Sequence, residues 1–360
     1  MLARLGAEMA AAAMPLRADC KRAERAAYLA RLGRFDEALS AIQEVQQRYD
    51  RTPQIEVSIW LNIAQGLFDY FNNVGISKND RLQRAYALSS ASGHDALRAL
   101  CAAWLAQWSY VRFDAEALAG YVREAFELSS PEHHSARSRA SLVAAQALHL
   151  AGRSDLAKTW YLRAREHAAA ESDDTTISAL MHNMAWLRML AMRHAVLSKT
   201  GQANAGAYAL INAESMAHFD DMIGDSTWQD LKPILRAQIV SLQGDSAQAL
   251  ALYDKHLASE TLSRLQGNLL ADKAWCLADT GRVSDALEFA QLSTARLDAE
   301  MQVDDRAAAH SRLAQVFGCA GDASNEKVQQ ALAEAAWQDF EALQARLVRL
   351  LDNLEVAAQP

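Results

Sequence analysis

The sequence contains few of the residues that interrupt helices. Its 360 residues include only 5 prolines and 15 glycines, which together is roughly half of the usual share of these two residue types. No proline occurs in residues 132–232 or in residues 234–359. Strand-rich sandwiches and barrels need a turn residue about every 8–12 positions. The scarcity of turn residues therefore excludes an all-β fold, and a hydrophobic content of 51% excludes a disordered chain.

The chain also lacks long apolar runs, an excess of positive charge and paired cysteines. Its longest uncharged stretches have about 12–14 residues, whereas a membrane-spanning helix needs about 20. With a net charge of −8, the chain lacks the excess of positive charge that dominates nucleic-acid binding. A local basic patch is the alternative. The cysteines are isolated among apolar neighbours, which predicts buried free thiols in a reducing compartment; they are Cys20, Cys101, Cys276 and Cys319. We therefore predict a cytoplasmic protein with neither a membrane nor a nucleic acid as partner.

One local pattern recurs along the chain at intervals of about 40 residues. A helical apolar segment precedes a turn that contains glycine, and an alanine stands five positions after that glycine. Glycine adopts the left-handed backbone at a helix end without a Cβ clash, and an Asp or Ser after it caps the next helix. The alanine lets the two helices approach closely. Clear copies contain Gly33, Gly152, Gly244 and Gly281, and weaker copies lie at 72–73, 112–117 and 321–322.

The spacing of these turns predicts eight helical pairs and an all-α fold. The turns fall at positions 33, 73, 112, 152, 244, 281 and 321, and the gap between 152 and 244 has room for one more pair. That fifth pair joins 177–194 to 205–219 across an insertion at 195–206. Because a single hairpin cannot bury its apolar face, consecutive pairs are expected to stack on one another.

The turn glycines and small residues resemble the tetratricopeptide repeat (TPR) family. The family's small residue of the first helix corresponds to Ala26, Ala145, Ala237 and Ala274, and that of the second helix to Ala38, Ala157, Ala249 and Ala286. The large residue that follows corresponds to Ile42, Tyr161 and Tyr253, with Ala290 as a departure. The period near 40, longer than the family's roughly 34, is similar to that of the divergent TPR-like sensor regions of bacterial regulators.

This resemblance implies a right-handed α-solenoid over residues 17–336, preceded by a segment 1–16 that is a weak helix or disordered. Residues 337–360 break the repeated pattern. Apolar residues there follow heptad spacing over two heptads only, at Phe340, Leu343, Leu347, Leu350 and Leu354. Two heptads are fewer than a coiled coil needs. We predict a capping helix that seals the solenoid, with a homodimerisation helix as the alternative.

No motif of a known catalytic, phosphate-binding or dinucleotide-binding class occurs in the chain, so we predict no enzyme activity, cofactor or metal. The cluster of His218, Asp221 and Asp225 could hold a divalent ion, because residues three apart share a helix face. The competing interpretation is a solvated helix end. His133 and His134 lie in a turn between repeats and point in different directions. A metal-dependent enzyme is therefore the weakest of the functional hypotheses.

The family resemblance also implies a concave groove lined by the first helix of each pair. Carried over by the turn glycines, the groove positions are Arg31, Trp60, Tyr70, Tyr110, Arg139, Gln146, His149, Asn183, Gln238, Trp275 and Gln315. Aromatic and amide side chains favour a peptide held by anchors and hydrogen bonds over the Lys and Asn carboxylate clamp of chaperone-binding members. Trp60 and Trp275 have core packing between pairs as a competing interpretation. The leading hypothesis is a non-catalytic scaffold that binds a protein or peptide segment, and the second is a sensor or regulatory module for a separately encoded effector.

Overall fold

A computed structural model describes the protein over residues 1–72, 79–198, 206–227, 229–257, 265–297 and 301–352. Seventeen helices and no strand occur within these residues, which confirms the prediction of an all-α fold. The first nine helices are α1 (Leu2–Ala11), α2 (Pro15–Arg31), α3 (Phe35–Tyr49), α4 (Ile55–Asn72), α5 (Asp80–Ala91), α6 (Asp95–Val111), α7 (Ala115–Leu128), α8 (His134–Leu150) and α9 (Ser154–Ala170). The other eight are α10 (Asp174–Leu197), α11 (Gly206–Ile223), α12 (Leu231–Leu242), α13 (Ser246–His256), α14 (Gln266–Asp279), α15 (Val283–Thr294), α16 (Val303–Cys319) and α17 (Ala323–Leu351).

The repeated turns lie between helices, as the glycine pattern predicts. Gly33 lies in the turn between α2 and α3 with a φ of 72°, the left-handed conformation that an L side chain rarely adopts. Phe113 takes the same conformation without being glycine, with a φ of 55°, in the weaker copy between α6 and α7. The next residue, Asp114, caps α7 by accepting a hydrogen bond from the amide of Ala117 at 3.1 Å. The predicted turn at residue 73 and the loop 199–204 within the insertion lie outside the described residues.

The alanines of the repeated pattern are buried where the two helices of a pair meet. All eight are at most 1% exposed; they are Ala26, Ala38, Ala145, Ala157, Ala237, Ala249, Ala274 and Ala286. The large residues that follow in the second helices, Ile42, Tyr161 and Tyr253, are buried as well. A methyl group at these positions leaves room for the neighbouring helix, which is why α2 packs on α3, α8 on α9, α12 on α13 and α14 on α15.

The chain divides into two compact units. Unit 1 comprises Met1–Leu180, Phe219–Thr227 and Arg346–Pro360, and unit 2 comprises Met181–His218 and Trp228–Ala345. Within unit 1 the pairs α2/α3, α4/α5, α6/α7 and α8/α9 follow one another, with α2 also contacting α4 and α6 contacting α8. Within unit 2, α12 contacts α14 and α14 contacts α16, so first helices adjoin first helices in each unit.

Unit 1 also contains contacts between residues far apart in sequence. The amino terminus of Met1 donates a hydrogen bond to the carbonyl of Ser172 at 2.8 Å. The carbonyl of Leu32, at the end of α2, accepts hydrogen bonds from the amide and the hydroxyl of Ser226 at 3.1 and 3.3 Å. Carbonyls at a helix end have no partner within the helix, so a distant donor can satisfy them. Stacking of neighbouring pairs alone does not predict these contacts.

Helices occupy both ends of the described chain, and one cysteine is more exposed than its apolar sequence neighbours indicate. Residues 2–11 form α1, whose Leu5 is fully buried. α17 runs without a break through residue 337, and Leu347 on it is buried, whereas Leu354 lies outside the described residues. The prediction of four buried thiols is wrong for Cys319, which is exposed at the end of α16. None of the described helices combines the length and the apolar character needed to cross a membrane.

Candidate functional site

The predicted groove positions occur in both units and differ in burial. Arg139, Gln146 and Gln238 are nearly completely buried, with exposures of 5%, 5% and 2%. The other eight are partly exposed; they are Arg31, Trp60, Tyr70, Tyr110, His149, Asn183, Trp275 and Gln315. Trp60 and Trp275 pack against the cores of unit 1 and unit 2, respectively, as their competing interpretation expects.

In unit 1, two predicted groove residues lie over one buried tryptophan, and a third interacts with one of them. The guanidinium carbon of Arg139 on α8 lies 3.9 Å from the ring centroid of Trp104 on α6. The guanidinium carbon of Arg31 on α2 lies 5.5 Å from the same ring. Tyr70 on α4 interacts electrostatically with Arg139. We call the set of Arg31, Tyr70, Trp104, Arg139 and Asp173 the Arg139 cluster.

Asp173 is the carboxylate of the Arg139 cluster, and it attracts Arg139 electrostatically but is hydrogen-bonded to other residues. Its two oxygens lie 3.0 and 2.9 Å from Nη2 of Arg31. They also accept hydrogen bonds from the hydroxyls of Thr175 and Thr176 at 2.7 and 2.8 Å, and the amide of Thr176 donates at 3.1 Å. Burial alone would raise the pKa of Asp173, but Arg31 and the two hydroxyls lower it below its ordinary value. Asp173 is therefore ionised, and both of its oxygens accept hydrogen bonds from Arg31 and from the two threonines.

Arg139 has no such partner. Among the described residues, none accepts a hydrogen bond from Arg139 or forms an ion pair with it, and its Nε is buried without an acceptor. Burial and the repulsion of Arg31 lower the pKa of Arg139 to about 9, although Asp173 offsets part of this effect. The side chain remains a cation at neutral pH. Among the described residues, its one aromatic stacking contact is the face of Trp104.

Further aromatic side chains on α4 and α6 pack next to Trp104. Phe71 lies edge-on to Trp104 with ring centroids 6.1 Å apart, and Tyr70 lies edge-on to Trp108 at 5.6 Å. Tyr70 and Phe71 also contact each other at 5.0 Å. Edge-to-face contacts of this kind fix ring orientation as well as burying apolar area. The unmatched cation therefore lies beside a rigid apolar surface, a combination that suits an anion with an apolar body.

In unit 2, the predicted groove residues Trp275 and Gln315 contact Arg312, and Gln238 contacts the carboxylate partner of Arg312. Nη1 of Arg312 donates to Oε1 of Gln315 at 3.0 Å, and its guanidinium carbon lies 5.3 Å from the ring centroid of Trp275. Nε of Arg312 forms an ion pair with Oδ1 of Asp272 at 3.3 Å. Asp272 also accepts a hydrogen bond from Gln238 at 3.3 Å. Here the buried guanidinium has a carboxylate partner.

A second buried arginine of unit 2 is paired as well. Arg193 lies 2.9 Å from Oδ2 of Asp304 and 2.8 Å from Oδ1 of Asp305. Burial would lower the pKa of Arg193, but these carboxylates raise it above its ordinary value. Burial and the charge of Asp305 raise the pKa of Asp304 to about 6, with Arg193 opposing. The charged residues of this network are thus structural partners for one another.

Sequence reasoning did not identify the charged partners of either site. Asp173 follows α9 in a turn, and nothing local connects it with Arg31, 142 positions away. Helical spacing gave a usable signal in unit 2, because Asp272 stands three residues before Trp275 and Arg312 three before Gln315. Residues three apart share a helix face, so the groove positions point directly to both.

The other candidate clusters have internal partners. Nδ1 of His134 lies 2.9 Å from Nδ1 of His167, whereas Nε2 of His133 lies 2.9 Å from the carbonyl of Ala96, so the adjacent histidines do point in different directions. Oδ1 of Asp225 accepts hydrogen bonds from the amide and hydroxyl of Thr227 at 2.8 and 2.5 Å. Throughout the part of the chain that the structure describes, no group of three or more His, Cys, Asp or Glu could hold a metal ion.

The chain matches no protein-family model, no curated protein and no solved structure.

Proposed function

We propose that this chain is a non-catalytic binding scaffold of the cytoplasm. In this proposal it is a right-handed, TPR-like α-solenoid of about eight helical pairs with a C-terminal capping helix, and its first helices present a concave groove to a protein or peptide segment. Support comes from the buried alanine register and from first helices that adjoin first helices within each unit. Stacked pairs of this kind form extended concave binding surfaces.

The observation that carries the proposal is a set of partly exposed aromatic side chains on the first helices of unit 1. Trp60 and Tyr70 stand on α4, and Tyr110 stands on α6. Rings that are held by neighbouring side chains, yet keep accessible surface, bind a partner at little cost in side-chain entropy. The near-complete burial of Arg139 and Gln146 places these two out of reach of a folded partner. The segment is therefore expected to contact the aromatic positions first.

Capture from native lysate tests the scaffold, with one groove variant and one matched control. Tyr110→Ala removes a predicted anchor, whereas Leu162→Ala removes an apolar side chain that is 44% exposed on α9, a second helix. We expect wild type and Leu162→Ala to recover the same partner, identified by mass spectrometry. Tyr110→Ala should recover about tenfold less, because an aromatic anchor contributes more than ~1 kcal/mol. Equal recovery by Tyr110→Ala, or no partner with wild type, would contradict the proposal.

The Arg139 cluster favours a second candidate function, a sensor module that controls a separately encoded effector. An enclosed cation beside aromatic rings suits a small ligand better than a protein segment. A sensor is expected to change its hydrogen exchange on ligand binding, whereas a scaffold is expected to do so only with its protein partner. Hydrogen exchange of the full chain with and without small organic acids separates the two functions.

A further inference from the structure

We propose that Arg139 binds the carboxylate of a small monoanionic ligand inside unit 1. This inference concerns a different occupant from the protein segment of the scaffold proposal and does not depend on it. Among the described residues, the buried Arg139 has no ion-pair partner, and its charge, access and aromatic surroundings define the ligand class.

The first step is the state of the Arg139 side chain. It is 5% exposed, its Nε has no acceptor, and no described residue forms an ion pair with it. An unpaired charge in such a place loses its hydration without gaining a counter-charge. Stacking on Trp104 at 3.9 Å recovers only part of this loss. The part of the chain that the structure describes therefore leaves the guanidinium under-compensated.

The second step is that neighbouring carboxylates are committed elsewhere. Asp173 is occupied by Arg31 and by the hydroxyls of Thr175 and Thr176. Glu171, the next carboxylate along the chain toward α9, lies 3.9 Å from Arg4. Two guanidinium groups, Arg31 and Arg139, thus face one ionised carboxylate, which leaves the Arg139 cluster with one excess positive charge.

The third step identifies the ligand class. One excess positive charge is neutralised by a monoanion, whereas a dianionic phosphate would leave a buried excess of negative charge. The planar guanidinium fork matches the two oxygens of a carboxylate. Because Arg139 is 5% exposed, only a small molecule or a narrow chain end can reach it. The rings of Tyr70, Phe71 and Trp108 next to Trp104 favour an apolar, aromatic body on that ligand.

Arg137 supplies a matched control on the same helix. It is also buried, and its guanidinium carbon also lies over an aromatic ring, 5.7 Å from the centroid of Phe126. Its Nε is buried without an acceptor, as in Arg139, but its Nη2 donates to the carbonyl of Ser129 at 3.0 Å, a bond for which Arg139 has no counterpart among the described residues. Arg137→Met therefore removes a buried, stacked arginine without removing the proposed ligand site.

The test is calorimetric titration and thermal unfolding of the full-length chain with defined probes. The probes are acetate, benzoate, the neutral analogue benzamide, and inorganic phosphate, each in a buffer free of carboxylates. The proteins are wild type, Arg139→Met, Arg139→Lys and Arg137→Met. Arg139→Lys keeps the charge and loses the fork, so the site remains testable if Arg139→Met does not fold. A short aromatic peptide with a free or an amidated C-terminus distinguishes a chain end from a free acid.

We expect wild type and Arg137→Met to bind benzoate, more tightly than acetate, and to show no response to benzamide. Arg139→Met should bind benzoate about 10- to 100-fold more weakly, which is the loss of hydrogen bonds to a charged group, and Arg139→Lys should be intermediate. Binding of the free-acid peptide, but not of its amide, would support the same carboxylate site and assign it to a chain end. Equal benzoate affinity in Arg139→Met, tighter binding of phosphate than of the acids, or no response of wild type to any carboxylate would overturn the proposal.

Discussion

Replacing Arg139 by methionine should stabilise the ligand-free protein. Burial and the repulsion of Arg31 lower the pKa of Arg139 to about 9, and a shift of that size from the ordinary value of an arginine corresponds to about 5 kcal/mol of lost stability of the charged form. The contact with Trp104 returns about 2 kcal/mol, which leaves a net penalty of about 3 kcal/mol. Methionine keeps an unbranched stem and a favourable sulfur–ring contact. We expect the free energy of unfolding to rise by about 1–3 kcal/mol, within the range for removal of buried charges.

The assay is native-state hydrogen exchange followed by mass spectrometry, because a chain with two compact units need not unfold in one transition. Peptides from α6 and α8, which carry Trp104 and Arg139, report the local free energy of opening. Arg137→Met is the control with the opposite sign, since it leaves the buried carbonyl of Ser129 without its donor and should lose about 1–3 kcal/mol. If Arg139→Met instead loses more than ~1 kcal/mol, the guanidinium has a stabilising role and the charge argument is refuted.

Two further predictions concern other buried groups. Burial and Asp305 raise the pKa of Asp304 from 3.8 to about 6, which corresponds to about 3 kcal/mol in favour of the protonated carboxyl in the folded chain. Because the folded pKa is the higher one, this stabilisation is present below about pH 4 and is lost as the pH rises through about 6. Asp304→Asn should therefore gain about 3 kcal/mol relative to wild type between about pH 4 and pH 7 in urea unfolding, and a pH-independent difference would contradict this. Burial also raises the pKa of three thiols to about 11–12; they are Cys20, Cys101 and Cys276. A maleimide at about pH 8 should label only Cys319 in the native chain and all 4 cysteines after unfolding, and labelling of any buried thiol at a comparable rate would contradict the assignment.

Sequence pattern predicted the features that depend on residues close together in the chain. A turn glycine and an alanine five positions later specify two helices and their contact, so Gly33 and Ala38 suffice to place α2 against α3. The groove register stays a prediction, although two of its positions, Trp275 and Gln315, contact Arg312. The predictions of turns and buried alanines succeed because helix ends and helix-to-helix spacing are governed by local backbone geometry.

The pattern missed features that depend on distant residues or on burial of charge. Periodicity assigns charged residues to the solvent face, yet Arg139 and Asp173 are both buried. The partner of Arg31 stands 142 positions away, and no local rule connects the two. Cys319 fails for the converse reason: its apolar neighbours indicate burial, but it lies in the last turn of α16 on an exposed face.

The treatment of buried arginines differs between the two units, and this difference bears on the Arg139 cluster. In unit 2, Arg193 has two carboxylate partners and Arg312 has Asp272. The all-α architecture can thus bury a guanidinium with its charge balanced. A purely structural side chain over Trp104 would be served better by methionine than by an unpaired cation. A ligand carboxylate supplies for Arg139 what Asp272 supplies for Arg312, and it accounts for a charge that packing alone does not explain.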